Sequence, residues 1–378
     1  MITTINNKHK KLNVPNLRFP EFQGEWEKSK LSDLCTFFSG GTPSSSNKDF
    51  YGGDIAFIRS GELHADSTEL FITQDGYDNS SAKMVEIGDL LLAMYGATSG
   101  DISISKIKGA INQAILCIRT NQNKKFIESV WNKHVSKILR KYLQGGQGNL
   151  SADIVKGISF SFPTLEEQER IANLISLLDE RIATQNKIIE DLKKLKSAIS
   201  ENLFKAVKGD VVILCEICEI IKGKQINGEF LSKKGKYYVM NGGTEPSGYY
   251  SDCNVEANTI SISEGGNSCG YVQFNSSPFW SGGHCYTIQK LAENVDNMYL
   301  YHYLKSKEDA IMKLRIGSGL PNIQKKDLAM FKIKLPNVEQ QKSISTFLSS
   351  LERKAEIEER IRNSILDEKR CLLHQMFI

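Results

Sequence analysis

Glycine and proline are both missing from two long stretches of this sequence, Leu165–Phe204 and Val338–Phe377. In a chain with 29 glycines, that excludes turns and loops from both stretches, because these two residues are the strongest breaks in local structure. Long apolar runs are missing too. None approaches the roughly 18 residues that a membrane span requires, so no membrane partner is expected. The N-terminal segment (Asn6, Asn7, Lys8, His9, Lys10, Lys11) is polar where a secretory leader would be apolar. Eight cysteines are too few to staple 378 residues, and most lie in apolar runs, such as Cys35 in LSDLCTFF and Cys117 in AILCIR. Reduced thiols and a cytoplasmic location are expected. Cys215-Glu216-Ile217-Cys218 has a C-x-x-C spacing, but a zinc site wants a second pair, and only His284-Cys285 is a candidate. Within the apolar run VVILCEICEII the two thiols read as core. The glycine segments Gly145-Gly146-Gln147-Gly148 and Gly317-Ser318-Gly319 fit neither G-x-G-x-x-G nor GxxxxGK[ST]. They read as helix ends or points of close backbone approach. Neither a metal nor a cofactor is expected.

The two glycine-free stretches share an opening. Pro163-Thr164-Leu165-Glu166-Glu167-Gln168-Glu169-Arg170-Ile171 begins the first, and Pro336-Asn337-Val338-Glu339-Gln340-Gln341-Lys342-Ser343-Ile344 begins the second, 173 residues later without a gap. A period this long implies two equivalent modules, each a body followed by a long helix. Thr164 or Asn337 stands at the cap, and Glu167 or Gln340 follows three residues on, a capping-box pattern. Apolar residues then recur near every 3.5 positions: Ile171, Ile175, Leu178, Ile182, Ile189, Leu192, Ile199 and Leu203 in the first copy. The second copy gives Ile344, Leu348, Leu351, Ala355, Ile361, Ile365, Leu372 and Met376. That is the coiled-coil period. About forty residues at 1.5 Å each make a helix on the order of 60 Å long, which cannot bury such a stripe alone. The economical partner is the other copy, so these residues are the expected helix–helix interface.

Net charge is +4, but Leu165–Phe204 carries −2 and Asn337–Phe377 zero, which leaves +6 on the rest. Balanced rods and basic bodies fit a scaffold presenting surfaces to an anion. The first body runs from Pro20 to Phe162. Its short, glycine-bounded strands are Ile55–Arg59, Asp89–Gly96 and Ala114–Arg119, followed by a helix near Phe126–Leu143 and a last strand at Ile158–Phe162. The second body, Lys208 to Leu335, keeps that order. Leu214–Gly223 parallels Leu31–Gly40, and Thr259–Gly266 parallels the strand ending at Gly96. Tyr286–Gln289, a helix near Met298–Leu314 and a strand at Phe331–Leu335 complete it. The class is α+β. One skeleton with different loop residues implies that each body reads a different target.

On these residues the chain resembles the specificity subunits of type I restriction-modification enzymes. The repeated P-x-[L/V]-E-x-Q-x-x-I ahead of a long helix is one hallmark, the opening Leu17-Arg18-Phe19-Pro20-Glu21-Phe22-Gln23-Gly24-Glu25-Trp26 is a second, and the body–helix–body–helix order is a third. The resemblance implies two target recognition domains separated by a long antiparallel two-helix coiled coil, an internal pseudo-twofold repeat. The expected division is a tail 1–19, a first recognition domain 20–162, a first helix 163–206, a second recognition domain 207–335 and a second helix 336–378. It further implies that each domain reads one half of a split site in double-stranded DNA. The helices would dock two methyltransferase subunits, and restriction/translocase subunits would join the full complex. Half-sites about one turn of B-DNA apart (roughly 34 Å) suit such symmetry, and the rod would set their spacing.

Sequence readers need cations and N–H groups for phosphates, and Arg, Asn, Gln or Ser for base edges. Loops beside glycine turns and strand ends supply such positions. In the first body these are Gly40, Gly41, Thr42, Ser44, Ser45, Lys48, Arg59, Tyr95, Thr98 and Gln113. In the second they are Lys222, Lys224, Gln225, Asn241, Glu264, Asn267, Trp280 and His284. The aromatics Tyr249, Tyr250, Phe279 and Trp280 read more readily as packing than as base-stacking groups. His9, His64, His134 and His302 carry no functional assignment.

Catalytic signatures are missing. The N-P-P-[YF] or D-P-P-[YF] motif of adenine methyltransferases is absent, as are a helicase Walker motif and a clustered acidic nuclease motif. The expectation is a non-enzymatic chain, with methyl transfer and S-adenosylmethionine binding in a partner. A coiled-coil adaptor without DNA specificity is the alternative. A fused methyltransferase–recognition chain is disfavoured by the missing motif.

Overall fold

The computed structural model describes residues 13–142, 149–317 and 321–378. The glycine segment 145–148, Ser318-Gly319, Leu143 at the end of the expected first-body helix and the first twelve residues of the tail lie outside these. The chain divides into two compact units, one formed by the residues up to Thr184 with Arg362–Ile378, the other by Gln185–Ile361. Each unit holds one strand-rich body and parts of both long helices.

In the first unit the central sheet runs in the order Cys35–Ser39, Ile115–Thr120, Leu90–Ala93, Ile102–Ile104, all antiparallel. Leu90-Leu91-Leu92-Ala93 is an unbroken apolar run because both its faces are covered. The period of two still operates. Leu90, Leu92, Leu116 and Ile118 join a core with Trp131, Phe126 and Trp26, whereas Leu91, Ala93, Ile115 and Cys117 join one with Ile58, Val85 and Ile111. The first core lies towards helix Lys124–Tyr142, and Trp131 Nε1 donates to the Gly100 carbonyl at 2.8 Å. The second lies towards a sheet ordered Phe71–Ile72, Tyr51–Ile58, Gly109–Ile111, Lys83–Val85, in which Tyr51–Ile58 and Gly109–Ile111 run parallel.

The second unit repeats this plan. Glu219–Lys222, Cys285–Gln289, Thr259–Ser263 and Val272–Asn275 form the same antiparallel order, and Tyr237–Met240 pairs in parallel with Trp280–Ser281. Register repeats as well: Leu90 faces Ile118 and Leu92 faces Leu116, while Ile260 faces Ile288 and Ile262 faces Tyr286. One face of the repeated strand has changed character. Ser261, Ser263 and Thr287 stand where the first body has Leu91, Ala93 and Cys117, and each has a partner. Asn275 Nδ2 donates to Ser261 Oγ at 2.9 Å, and Ser263 Oγ donates to the Gly242 carbonyl at 2.6 Å.

The expected second-body helix 298–314 is two helices, Asn297–Ser306 and Glu308–Met312, broken at Lys307. Among the strands that pattern did not reveal are Glu27–Lys30 and Asp210–Ile213, which pair with the closing strands Ser159–Phe162 and Lys332–Leu335. Cys215 is exposed and Cys218 buried, and burial, with Cys215 nearby, pushes the Cys218 thiol up to about 12.

The long helices run Leu165–Ala206 and Val338–Met376. Thr164 Oγ1 and Asn337 Oδ1 cap them, accepting from the amides of Glu167 and Gln340 at 3.4 and 2.9 Å. Glu167 does not complete the expected capping box. Its carboxylate takes both Arg18 Nε and Nη2 at 2.7 Å, with Trp26 Nε1 at 3.3 Å. The opening stretch 17–26 and the helix motif therefore meet in one buried contact. In both copies the next residue, Gln168 or Gln341, is fully buried. Each donates to its own proline carbonyl, Pro163 at 3.0 Å and Pro336 at 2.8 Å, and accepts an amide from the body, Asn123 at 3.1 Å and Asp296 at 2.8 Å.

Within each unit the helix segments run antiparallel. Asp179 pairs with Lys369 in the first unit, and Lys196 pairs with Glu352 at 2.9 Å in the second. Asp179 and Glu352 occupy equivalent positions of the repeat, as do Lys196 and Lys369, so the ion pair recurs with the helices exchanged. Gln185 and Glu358, also equivalent positions, meet each other directly.

The heptad residues divide into two roles. Ile171, Ile175, Leu178, Leu372 and Met376 pack into the first body's core, and Ile199, Leu203, Ile344 and Leu348 into the second's. Ile189 and Ile365 are buried on the helices, Ile182, Leu192, Leu351 and Ala355 are half-buried, and Ile361 is exposed at 38%. The stripe thus binds helix to body at its ends, which shortens the part left for a helix–helix seam. Phe377 sits 5.1 Å from Phe126 in the first body, and its equivalent Phe204 sits 5.7 Å from Tyr299 in the second. The second helix returns to the chain's opening stretch, where the Leu17 amide donates to the Gln375 carbonyl at 3.0 Å.

Candidate nucleic-acid interface

In each body one end of the central sheet gathers loops from several strands. The glycine after the first strand is required there. A Cβ on Gly40 would overlap the carbonyl of Ile111, and one on Gly223 that of Gly282. This close approach lets Gly41 and Lys224 donate their amides to Ile111 and Ser281 at 3.2 and 2.8 Å. A second pair of loops turns at Gly96 and Gly266, both at φ +76°. The chain then returns through Gly100 and Gly270, whose amides donate to Ala93 and Ser263 at 2.8 Å.

In the second body all eight candidate residues lie on these loops or the strand ends beneath them. The Lys222 ammonium lies 2.5 Å from Glu264 Oε1. Trp280 Nε1 donates to the Lys224 carbonyl at 2.9 Å, and Asn241 Oδ1 accepts the His284 amide at 3.2 Å. Gln225 lies against Gly283. Lys222, Asn241, Glu264, Asn267 and His284 line a cavity of 640 Å³ with Gly242, Gly265 and Asn322. Pattern reading missed Asn322 because it lies about forty residues beyond the other walls in sequence, and only the fold brings it there.

The first body gathers fewer of its candidates. Gly40 and Gly41 are buried at the crossing, and exposed Thr42 donates through Oγ1 to Gln113 Oε1. Tyr95 is exposed and Thr98 half-buried on the Gly96 turn. Arg59 follows directly on the strand beside them, with its guanidinium on Glu62 at 3.0 Å. That carboxylate is held below its usual range, chiefly by the Arg59 hydrogen bond. Ser44, Ser45 and Lys48 are exposed on the excursion that follows, where Ser44 Oγ bonds Ser46 Oγ at 2.8 Å and Lys48 opens a single 3₁₀ turn, Lys48–Phe50.

The aromatics are largely packing. Phe279 is fully buried and stacks on Tyr238 at 5.5 Å, and Tyr250 meets Trp280 edge-on at 5.1 Å. Among the described residues no cluster of three or more metal-ligating side chains occurs. What the loop ends offer is a set of amide, hydroxyl, imidazole and ammonium groups suited to hydrogen bonding with an anionic, base-lined partner.

Residues 23–194 and 207–367 each match the family model described as the type I restriction modification DNA specificity domain. The chain is 24% identical over 409 residues to the type I restriction enzyme MjaVIII specificity subunit of Methanocaldococcus jannaschii, spanning 95% of this chain and 92% of that protein. A type I restriction enzyme specificity subunit of Escherichia coli is 27% identical over 189 residues, 47% of this chain and 46% of the relative. The fold is shared with the crystal structure of a type I restriction-modification S subunit from M. genitalium, at a TM-score of 0.67 and 18% identity over 97% of this chain and 99% of that one. No helix among the described residues is long and apolar enough to cross a membrane. The adaptor alternative gives way to a DNA-specificity role, because both bodies fall within the matched segments. The chain belongs to the family of type I restriction-modification DNA specificity subunits, with two recognition domains and a long helix after each.

Proposed function

We propose that each body reads one half of a split double-stranded DNA site through its loop end, and that the chain catalyses nothing itself. The observation that carries this reading is the repeated backbone frame with dissimilar tips. Gly40 and Gly223 make the same crossing, and Gly96 and Gly266 the same turn. Around them the first body displays Thr42, Arg59, Tyr95 and Gln113, and the second Lys222, Asn241 and His284 over a buried Glu264. A frame kept while its display changes is what two readers of two different sequences require. The division into recognition domains 20–162 and 207–335 with helices 163–206 and 336–378 follows from this reading. So does the contact set: Gly40, Gly41, Thr42, Ser44, Ser45, Lys48, Arg59, Tyr95, Thr98 and Gln113 in one domain, and Lys222, Lys224, Gln225, Asn241, Glu264, Asn267, Trp280 and His284 in the other.

The helices set the spacing between half-sites and dock two methyltransferase subunits, which bind S-adenosylmethionine and carry the methyl-transfer chemistry. Restriction subunits complete the assembly, in the cytoplasm. Exposed Leu177, Leu195, Phe347 and Ile357 on the helices support the docking role, since apolar side chains this open favour a cover. The test is methylation mapping with the cognate methyltransferase subunit co-expressed. A single split motif with a constant gap is expected, and exchanging 20–162 for another recognition domain should change one half only. Methylation with no split motif, in a complex shown to assemble and bind S-adenosylmethionine, would overturn the reading.

A further inference from the structure

The two bodies repeat one frame closely enough to compare residues in equal places, and at one place they differ in kind. Met94 donates its amide to the Ala114 carbonyl at 2.8 Å, and its own carbonyl accepts from Leu150 at 2.9 Å. Glu264 makes the same two bonds, with His284 at 2.9 Å and Ile323 at 2.8 Å. Both side chains are buried, 2% exposed for Met94 and 7% for Glu264. An apolar thioether therefore satisfies the frame, yet the second body buries a carboxylate there against a desolvation cost.

That carboxylate is engaged on one side only. Oε1 accepts from Lys222 Nζ at 2.5 Å and from the Tyr286 hydroxyl at 3.0 Å. Burial and the carboxylate push the Tyr286 phenol well above its ordinary range, so it keeps its proton and donates. Oε2 is buried without a hydrogen-bond partner, with His284 Nδ1 lying 3.6 Å away. Both side chains facing it remain open, Lys222 at 52% and His284 at 62%. They reach Glu264 from a strand end and a turn at the cavity walled by Asn241, Asn267 and Asn322.

Resting on the reading of this body as a DNA reader, we propose that Glu264 is a positioning residue for base recognition. It fixes Lys222 and His284 as two aimed hydrogen-bonding groups against one base pair of the second half-site. A free lysine samples many rotamers and acts on DNA mainly as a point charge. Bound to a buried carboxylate, Lys222 loses that freedom before DNA arrives, and its remaining N–H groups keep one direction. Neutralisation by Glu264 also weakens its pull on phosphates, so direction becomes its main contribution. A small rotation of the imidazole seats Nδ1–H on the open Oε2 and turns Nε2 outward, since the bond at one ring nitrogen sets the role of the other.

The test uses the full chain assembled with its methyltransferase partner, carrying Glu264→Met or Glu264→Gln. Methionine is what the equivalent frame already accepts, and a thermal melt of the complex checks folding. In the methylation map the first half-site should keep every letter, while discrimination at one base pair of the second falls at least about tenfold. Lys222→Ala and His284→Ala should relax that same position. If both Glu264 variants methylate the wild-type motif with every letter still discriminated, the inference is wrong. A uniform loss across all sites with no letter changed also overturns it, by making Glu264 structural. Either result leaves the DNA-reading function standing so long as the unaltered chain yields a split motif.

Discussion

His302 carried no functional assignment in sequence, and the fold gives it a physical one. Its side chain is 2% exposed, and Nε2 sits 2.9 Å from Ser349 Oγ on the second long helix. Burial depresses its pKa to about 4, Lys196 pushes the same way, and Glu352 and Asp296 oppose. The unfolded chain takes up this proton near the ordinary value of about 6.5, well before the folded one does. The neutral imidazole's contribution is therefore whole above about pH 6.5 and lost progressively towards pH 4. Denaturation of the complex followed from pH 7 to pH 4 should show a loss of up to about 3 kcal/mol that His302→Gln flattens. An unchanged slope in that variant would remove His302 from the account. Other residues were more legible. Gly40 and Gly223 stood out as glycines ending matched segments, though the carbonyls that exclude a Cβ came from strand Gly109–Ile111 and from the residue after strand Trp280–Ser281, neither of which a local pattern located. Glu264 was visible as a residue near a glycine turn, but its burial and its equivalence to Met94 depend on strand register.

At the scale of elements, the long helices were the clearest part of the sequence, because a 3.5-residue period and an absence of breakers are local properties. What the period could not tell was which apolar residues face a helix and which face a body. Ile171, Ile175, Ile344 and Leu348 look like any other heptad position, and they belong to body cores. The short strands suffered the opposite fate. Ile102–Ile104, Gly109–Ile111 and Trp280–Ser281 are too brief to show a period and form only because partners pair with them. The joint between element types rests on the repeated glutamine. Gln341 Nε2 donates to Asn294 and Pro336 carbonyls at 2.9 and 2.8 Å, and its Oε1 accepts the Asp296 amide at 2.8 Å. Gln341→Ala leaves those groups buried and unpaired, a cost of about 3 kcal/mol. The neighbouring Gln340→Ala, on an exposed side chain, should change stability by no more than about 0.5 kcal/mol. Equal effects in chemical denaturation would sink the role given to Gln341.

For the whole molecule, the 173-residue period was the decisive signal, because a duplication is read by comparing letters and needs no energetics. It could not reveal how the two copies share their cores. The first body's core draws on residues from Trp26 to Phe377, whereas the second's runs only from Phe204 to Leu348. On a ribosome, where domains generally fold as units in order of synthesis, this sharing reverses the usual sequence of events. The body made first lacks Met376 and Phe377 until the second long helix has been made, while the body made second has its whole core once Leu348 has emerged. Nascent chains arrested with Ile361 just outside the exit tunnel should thus protect residues 210–335 from protease and leave 27–162 open to cleavage. Protection of both would mean that the first body closes without the last helix turns. With only the second body protected, the earlier-made recognition domain waits through the making of the later one as a client for chaperones, guarding an unfilled aromatic socket.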